Sequence, residues 1–338
     1  MTDRRTAPLA GDDPQRRAVR EALDGLRREI RTRFRREPEA RPDATPETGG
    51  EAAPVGGTRG WESTLSELPR RIATLGMRER STEIDAFGAD AGALDAARPL
   101  LDLLYDRYWS VDARGGAHLP ERGPYLLVAN RAGLLPWDAL MVAHAVERIC
   151  DERPRFTAAD WLATLPFVQP RLARLGGVRA CRENVEGLLD AGHAVIVFPE
   201  GAKGAAKPFG ERYRLQRFGR GGVVRTAIAR GVPLIPVGVV GAEEVHPILY
   251  KAITPGRALG LPFLPVTPTF PLLGPLGALP LPSQWLIRFG EPFDLEDLPA
   301  DAAADELLLA RLTEQLRARV QALVDEGLAA RSSVWSLE

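Results

Sequence analysis

The run Ala194-Val195-Ile196-Val197-Phe198-Pro199-Glu200-Gly201-Ala202-Lys203-Gly204 decides the fold. Five apolar residues stop abruptly at Pro-Glu-Gly, and two glycines then bracket a lysine. A short apolar run bounded by turn residues predicts a buried strand. The turn after it then delivers a carboxylate and a cation to the carboxyl end of that strand, where open α/β sheets hold their ligands. The chain has three lysines, and two of them, Lys203 and Lys207, fall just past this turn. Nearly all its other basic residues are arginine.

Working outward, Tyr125–Ala129 and Leu234–Val240 read as further buried strands, the first preceded by the turn signal Arg122-Gly123-Pro124. Trp285–Phe289 reads as a late edge strand. Between them the apolar spacing changes to three and four. Helices are predicted over Asp90–Tyr108, Pro136–Ile149 with Asp138 in its first turn, Asp160–Leu175 interrupted at Pro166, and Val185–Ala191. Gly221–Arg230, closed by Gly231, and Ala303–Leu328 complete the set. Strands alternating with helices predict an α/β fold with a central sheet flanked by helices.

The remaining composition narrows the setting. The formal net charge is −1, so no global basic field points to nucleic acid. Two cysteines, Cys150 and Cys181, make no disulfide framework or metal-ligand spacing, which fits a reducing cytoplasmic setting. Residues 1–58 read as a disordered tail and flexible linker, rich in Pro, Gly and charge. Within it, Asp13–Arg36 has the pattern of an amphipathic helix: Val19, Leu23, Leu26, Ile30 and Phe34 share one face. A short helical segment is read at Thr64–Ile72, and residues 59–338 form one domain. The apolar stretch Leu259–Leu281 is broken by Pro262, Pro265, Pro268, Pro271, Pro275 and Pro280, so it predicts no membrane-spanning helix. The wider Pro-rich apolar region Pro247–Pro282 is read either as an irregular wall on the sheet or as a surface that dips into a bilayer, the latter favoured.

Four blocks stand in order along the domain: Asn130 to Asp138, Gly176 to Arg182, Phe198-Pro199-Glu200-Gly201, and Val232-Pro233-Leu234-Ile235-Pro236. Together they resemble the phospholipid and glycerol acyltransferase family of the lysophosphatidate acyltransferase type, over about residues 84–295. Glu200-Gly201-Ala202-Lys203-Gly204 is more similar to its monoacylglycerol acyltransferase-like branch. The resemblance implies a single glycerol-phosphate acyltransferase-like domain with a central mixed sheet. It also implies acyl transfer from acyl-CoA or acyl-carrier protein, as co-substrate rather than resident cofactor, to a lysophospholipid or other glycerolipid. The implied setting is cytoplasmic and peripheral to the inner face of the cell membrane, with no nucleic-acid partner and no metal. Asn130, Arg182, Glu200 and Gly201 are the implied substrate-binding residues, and Asp138 the implied catalytic partner. Lys203 and Lys207 open a basic run with Arg212, Arg214, Arg217 and Arg220, read either as a solvated face or as a phosphate or coenzyme A contact.

One position departs from the family pattern. The family carries a histidine after the asparagine, a general base whose tautomer the aspartate fixes. Here Arg131 stands there, and the interval to Asp138 is two residues longer. A guanidinium stays protonated and cannot act as a base. Arg131 is therefore expected either to pair with Asp138 and keep the site's shape, or to bind a substrate carboxylate or phosphate. The protein correspondingly reads as an acyltransferase, or as a catalytically impaired homologue that binds lipid or acyl thioester. His118, His144, His193 and His246 are poorly spaced to replace the base.

Overall fold

The computed structural model describes residues 84–334, apart from 134, 160, 161, 163–167, 259, 260, 296, 297 and 299. The tail, the 13–36 pattern and the 64–72 helix lie outside the described residues. Nine strands are described: β1 (Asp112–Arg114), β2 (Tyr125–Ala129), β3 (Arg155–Ala158), β4 (Gly177–Arg179), β5 (Ala194–Val197), β6 (Leu234–Val240), β7 (Tyr250–Ala252), β8 (Leu264–Val266) and β9 (Leu286–Phe289). Seven form one sheet in the order β1-β9-β6-β2-β5-β3-β4, and β7 with β8 makes a separate ribbon. All pairs in the large sheet are parallel except β6 with β9, so the sheet is mixed as expected.

The three apolar runs lie together at the centre. β2 pairs with β5 on one side and β6 on the other, with Leu127 opposite both Ile196 and Ile235. Every residue of these three strands is buried. Helices on both faces require this, because parallel strands are connected by crossovers that pack over the sheet. Alternate side chains feed two cores. Leu127, Ala129, Ile196 and Val237 face one side; Leu126, Val128, Val195 and Val197 face the other.

The helices are α1 (Ala91–Leu103), α2 (Trp137–Cys150), α3 (Gln169–Arg174), α4 (Arg182–Asp190), α5 (Gly201–Ala205), α6 (Gly222–Arg230), α7 (Ile253–Ala258) and α8 (Glu306–Ala330). Local chemistry sets several ends. The Asp90 carboxylate accepts from Ala93 N to start α1, and Asp305 accepts from Leu307 N and Leu308 N to start α8. Gly231, at φ +59°, closes α6. No helix among the described residues is long and apolar enough to cross a membrane.

Two sequence expectations are corrected. Residues 286–289 form an interior strand, paired with β1 as well as β6, so β1 and β4 are the sheet's edges. The glycine-rich turn after β5 winds into the short helix α5.

Helix α8 lies close against β6, and Gly238 makes that approach possible. A Cβ there would stand 2.7 Å from Leu323 Cβ and 2.8 Å from its carbonyl carbon. Gly238→Ala is expected to lower unfolding stability by about 1–3 kcal/mol through overpacking, measured by urea denaturation.

Candidate active site

The ends of β2 and β5 bring two of the sequence blocks together. Asn130, immediately after β2, is completely buried. Its side-chain amide donates to Val239 O (2.9 Å) and accepts from Val239 N (2.7 Å), so it extends the β2–β6 pairing beyond the strand. Arg131 follows, and its backbone N–H donates to Glu200 Oε1 at 2.8 Å. The other Glu200 oxygen accepts from Gln216 N at 2.6 Å and lies 3.4 Å from Lys207 Nζ.

Asp138 stands in the first turn of α2 and is fully buried. Its Oδ1 accepts from Arg131 Nη1 (3.1 Å) and Ala139 N (2.8 Å), and its Oδ2 from Ala132 N (2.9 Å). Burial pushes the Asp138 carboxyl upward, while the Arg131 guanidinium and these backbone donors act the other way. The Arg131 guanidinium carbon sits 4.8 Å from the centre of the Phe198 ring. Its Nη2 is buried and has no hydrogen-bond partner among the described residues.

Gly204 lets α5 close over this layer. A Cβ there would lie 2.6 Å from Glu200 Cβ and 2.8 Å from Arg131 Cβ. Beneath, Lys207 donates to Glu243 Oε1 at 2.7 Å, and Tyr213 N donates to Glu243 Oε2 at 3.1 Å. Burial pushes Glu243 up to about 7, against the lowering effect of Lys207. Glu244 next to it is tied to Tyr213, Ser283 and Arg331.

The structure thus brings Asn130, Arg131, Asp138, Glu200 and Lys207 together and buries all five. Gly201 and Lys203 lie on the exposed side of the same turn. Arg182 stands apart: its exposed side chain bonds Glu186 at 2.7 Å, at the rim of a neighbouring cavity. That cavity, about 310 Å³ and mostly apolar, is lined by Leu126, Val197, Phe198, Val224 and Leu316. A second cavity of about 370 Å³ lies between Lys203, Lys207, Lys251 and Phe263.

None of the four histidines bonds Asp138. His118 contacts Phe289 O, His144 contacts Asp102, and His246 contacts Ala278 O. His193 packs edge-on to Phe87 before β5. Sequence reasoning missed Glu243, although an acidic pair directly after a fully buried strand is a usable signal.

An acyltransferase family model matches residues 110–240, which span β1 through β6. An uncharacterised protein of Mycobacterium leprae is 40% identical over 296 residues, covering 83% of this chain and 80% of its own. Uncharacterised proteins of Mycobacterium bovis and Mycobacterium tuberculosis are each 39% identical over 289 residues, covering 82% and 80%. The crystal structure of the 1-acyl-sn-glycerophosphate acyltransferase PlsC from Thermotoga maritima is 20% identical, with a TM-score of 0.44, over 80% of this chain and 90% of that one. The chain belongs to the same family as these mycobacterial proteins, and its residues 110–240 belong to the acyltransferase family.

Two outcomes test the site's energetics. Asp138→Ala leaves the Arg131 guanidinium buried without its partner, and is expected to cost about 3–5 kcal/mol of stability by chemical denaturation. Glu243 is held above the ordinary glutamate value of about 4.3, so the folded state retains its proton more tightly than the unfolded chain. Its contribution to stability therefore falls as pH rises from about 4 to about 7. Wild type should lose stability relative to Glu243→Gln as pH rises from about 4 to about 7 in thermal melts, and level off above that.

Proposed function

We propose that the chain transfers an acyl group from acyl-CoA or acyl-carrier protein to a hydroxyl of a lysophospholipid or related glycerolipid, working peripherally at the inner face of the cell membrane. One observation carries the reading. The Asn130–Asp138 and Phe198–Lys207 blocks meet at the carboxyl ends of β2 and β5, and the second block lines both an apolar cavity and a cavity shared by Lys203, Lys207, Lys251 and Glu211. The apolar cavity has the chemistry for an acyl chain, with Arg182 at its rim. The cavity beside Lys203 and Lys251 has the chemistry for a phosphate or carboxylate group.

The acceptor hydroxyl oxygen attacks the thioester carbonyl carbon, the adduct collapses, and the C–S bond breaks. The leaving thiolate takes the hydroxyl proton, so atoms and charge balance without an imidazole base. Arg131 Nη2 is the unspent donor for the oxygen that gathers negative charge in the adduct. Asp138 holds the guanidinium, and Glu200 holds the Arg131 backbone. Positioning an activated thioester against a hydroxyl contributes ~7 kcal/mol or more. Absence of a general base costs about 10²–10⁴-fold, so turnover is slow.

The buried Arg131–Asp138 pair also favours a second reading, a lipid- or thioester-binding homologue without turnover. Purified protein incubated with labelled acyl thioesters and a panel of lysophospholipids and monoacylglycerols separates the two. The first reading expects acylated product in wild type and at least about tenfold less in Arg131→His, as removal of a transition-state donor typically produces. Saturable ligand binding with no product, and product appearing only in Arg131→His, supports the second.

A further inference from the structure

Residues 245–290 contain no aspartate or glutamate, in a chain whose net charge is −1. Their charged residues are Lys251, Arg257 and Arg288. Arg288 is buried and pairs with Asp112, so Lys251 and Arg257 are the charges this segment offers outward. The same segment holds a dense set of exposed apolar side chains: Tyr250, Ile253, Leu272, Leu273, Leu276 and Leu279. Leu272 is 84% exposed and Leu276 66%. A soluble chain seldom leaves this many large apolar groups in water within one short stretch.

The backbone under them is tied down. β7 and β8 pair antiparallel, with Tyr250 opposite Val266. Directly after β8, Thr267 N donates to Phe270 O at 2.8 Å, and Thr269 Oγ1 donates to Gly277 O at 3.1 Å. Gly277 permits that fold-back, since a Cβ there would lie 2.6 Å from Thr269 O. Leu272 and Leu273 therefore project from a turn closed on itself. A projecting tip of leucines needs no complementary groove when it enters hydrocarbon, whereas a protein partner must supply one.

We infer that this acid-free knob is the membrane-docking surface of the protein, with an anionic bilayer as its occupant. Its leucines enter the acyl boundary, and Lys251 and Arg257 meet anionic headgroups. The inference rests on the reading that the acceptor is a lipid, and it adds which face meets it. Continuity with the site supports it. Lys251 shares the 370 Å³ cavity with Lys203 and with Lys207, which bonds the glutamates behind Arg131. A docked knob thus presents the lysine-lined cavity to the headgroup layer.

The full chain is tested by sedimentation with phosphatidylcholine vesicles made with and without phosphatidylglycerol. Wild type is expected to partition onto the phosphatidylglycerol vesicles. The Leu272→Asp/Leu276→Asp variant should melt as wild type does and partition at least about tenfold less, as expected when two leucine side chains no longer bury in hydrocarbon. Lys251→Glu/Arg257→Glu should lose the preference for phosphatidylglycerol. Leu272→Trp should still bind, with a blue-shifted emission on vesicles. Unchanged partitioning of the double aspartate variant overturns the inference and shifts docking elsewhere, including to residues 13–36. A wild-type dimer in light scattering that the same variant breaks, with no vesicle binding, overturns it in favour of a second copy. Turnover on a short-chain, water-dispersed acceptor should be equal in wild type and the double aspartate variant. Vesicle binding without any turnover overturns the proposed reaction and leaves the docking surface standing.

Discussion

The arrangement depends on one carboxylate, that of Glu200. Its side chain is withdrawn from water, and both oxygens are spent: one on the Arg131 backbone, the other on the Gln216 backbone with Lys207 beside it. Three separate stretches of chain are joined through it: the segment leaving β2, the turn leaving β5, and the loop leading to α6. A desolvated charge is tolerable only when donors surround it, and backbone N–H groups are the donors that cost least side-chain entropy to place. Glycine at 204 follows from the same constraint, because α5 must come within carbon–carbon contact of Glu200 and Arg131.

The charges around Glu200 form an alternating layer. Asp138, Glu200 and Glu243 contribute three potential negative charges, and Arg131 and Lys207 two positive ones. Lys207 stands between two glutamates and cannot fully compensate both. Glu243 absorbs the imbalance through its upward shift to about 7, driven first by burial.

What was legible in the sequence follows from burial. β2, β5 and β6 are covered on both faces, so they appear as uninterrupted apolar runs and their ends place the site. β1, β3 and β4 span three or four residues and carry arginines at Arg114, Arg155 and Arg179. Arg155 is buried against Asp85, a partner 70 residues away, so its strand has no local apolar signature. β9 was legible as a strand but not as an interior one, because its neighbour β1 is short and charged. The basic run after β5 was legible only as a set. Lys207 alone turns inward, toward Glu243, whose position after β6 is 36 residues distant. Sequence spacing does not report such long-range pairing.

The two departures at the base position are physically linked. A histidine five residues before an aspartate can reach it with a short ring. Here the interval is seven residues, and the path runs from the end of β2 to Asp138 in the first turn of α2. Arginine has the longer side chain, and it spans that path to a 3.1 Å contact while laying its guanidinium against Phe198. The Asp138 carboxylate pairs with a permanent cation rather than with an imidazole, and Arg131 Nη2 is left without a hydrogen-bond partner among the described residues.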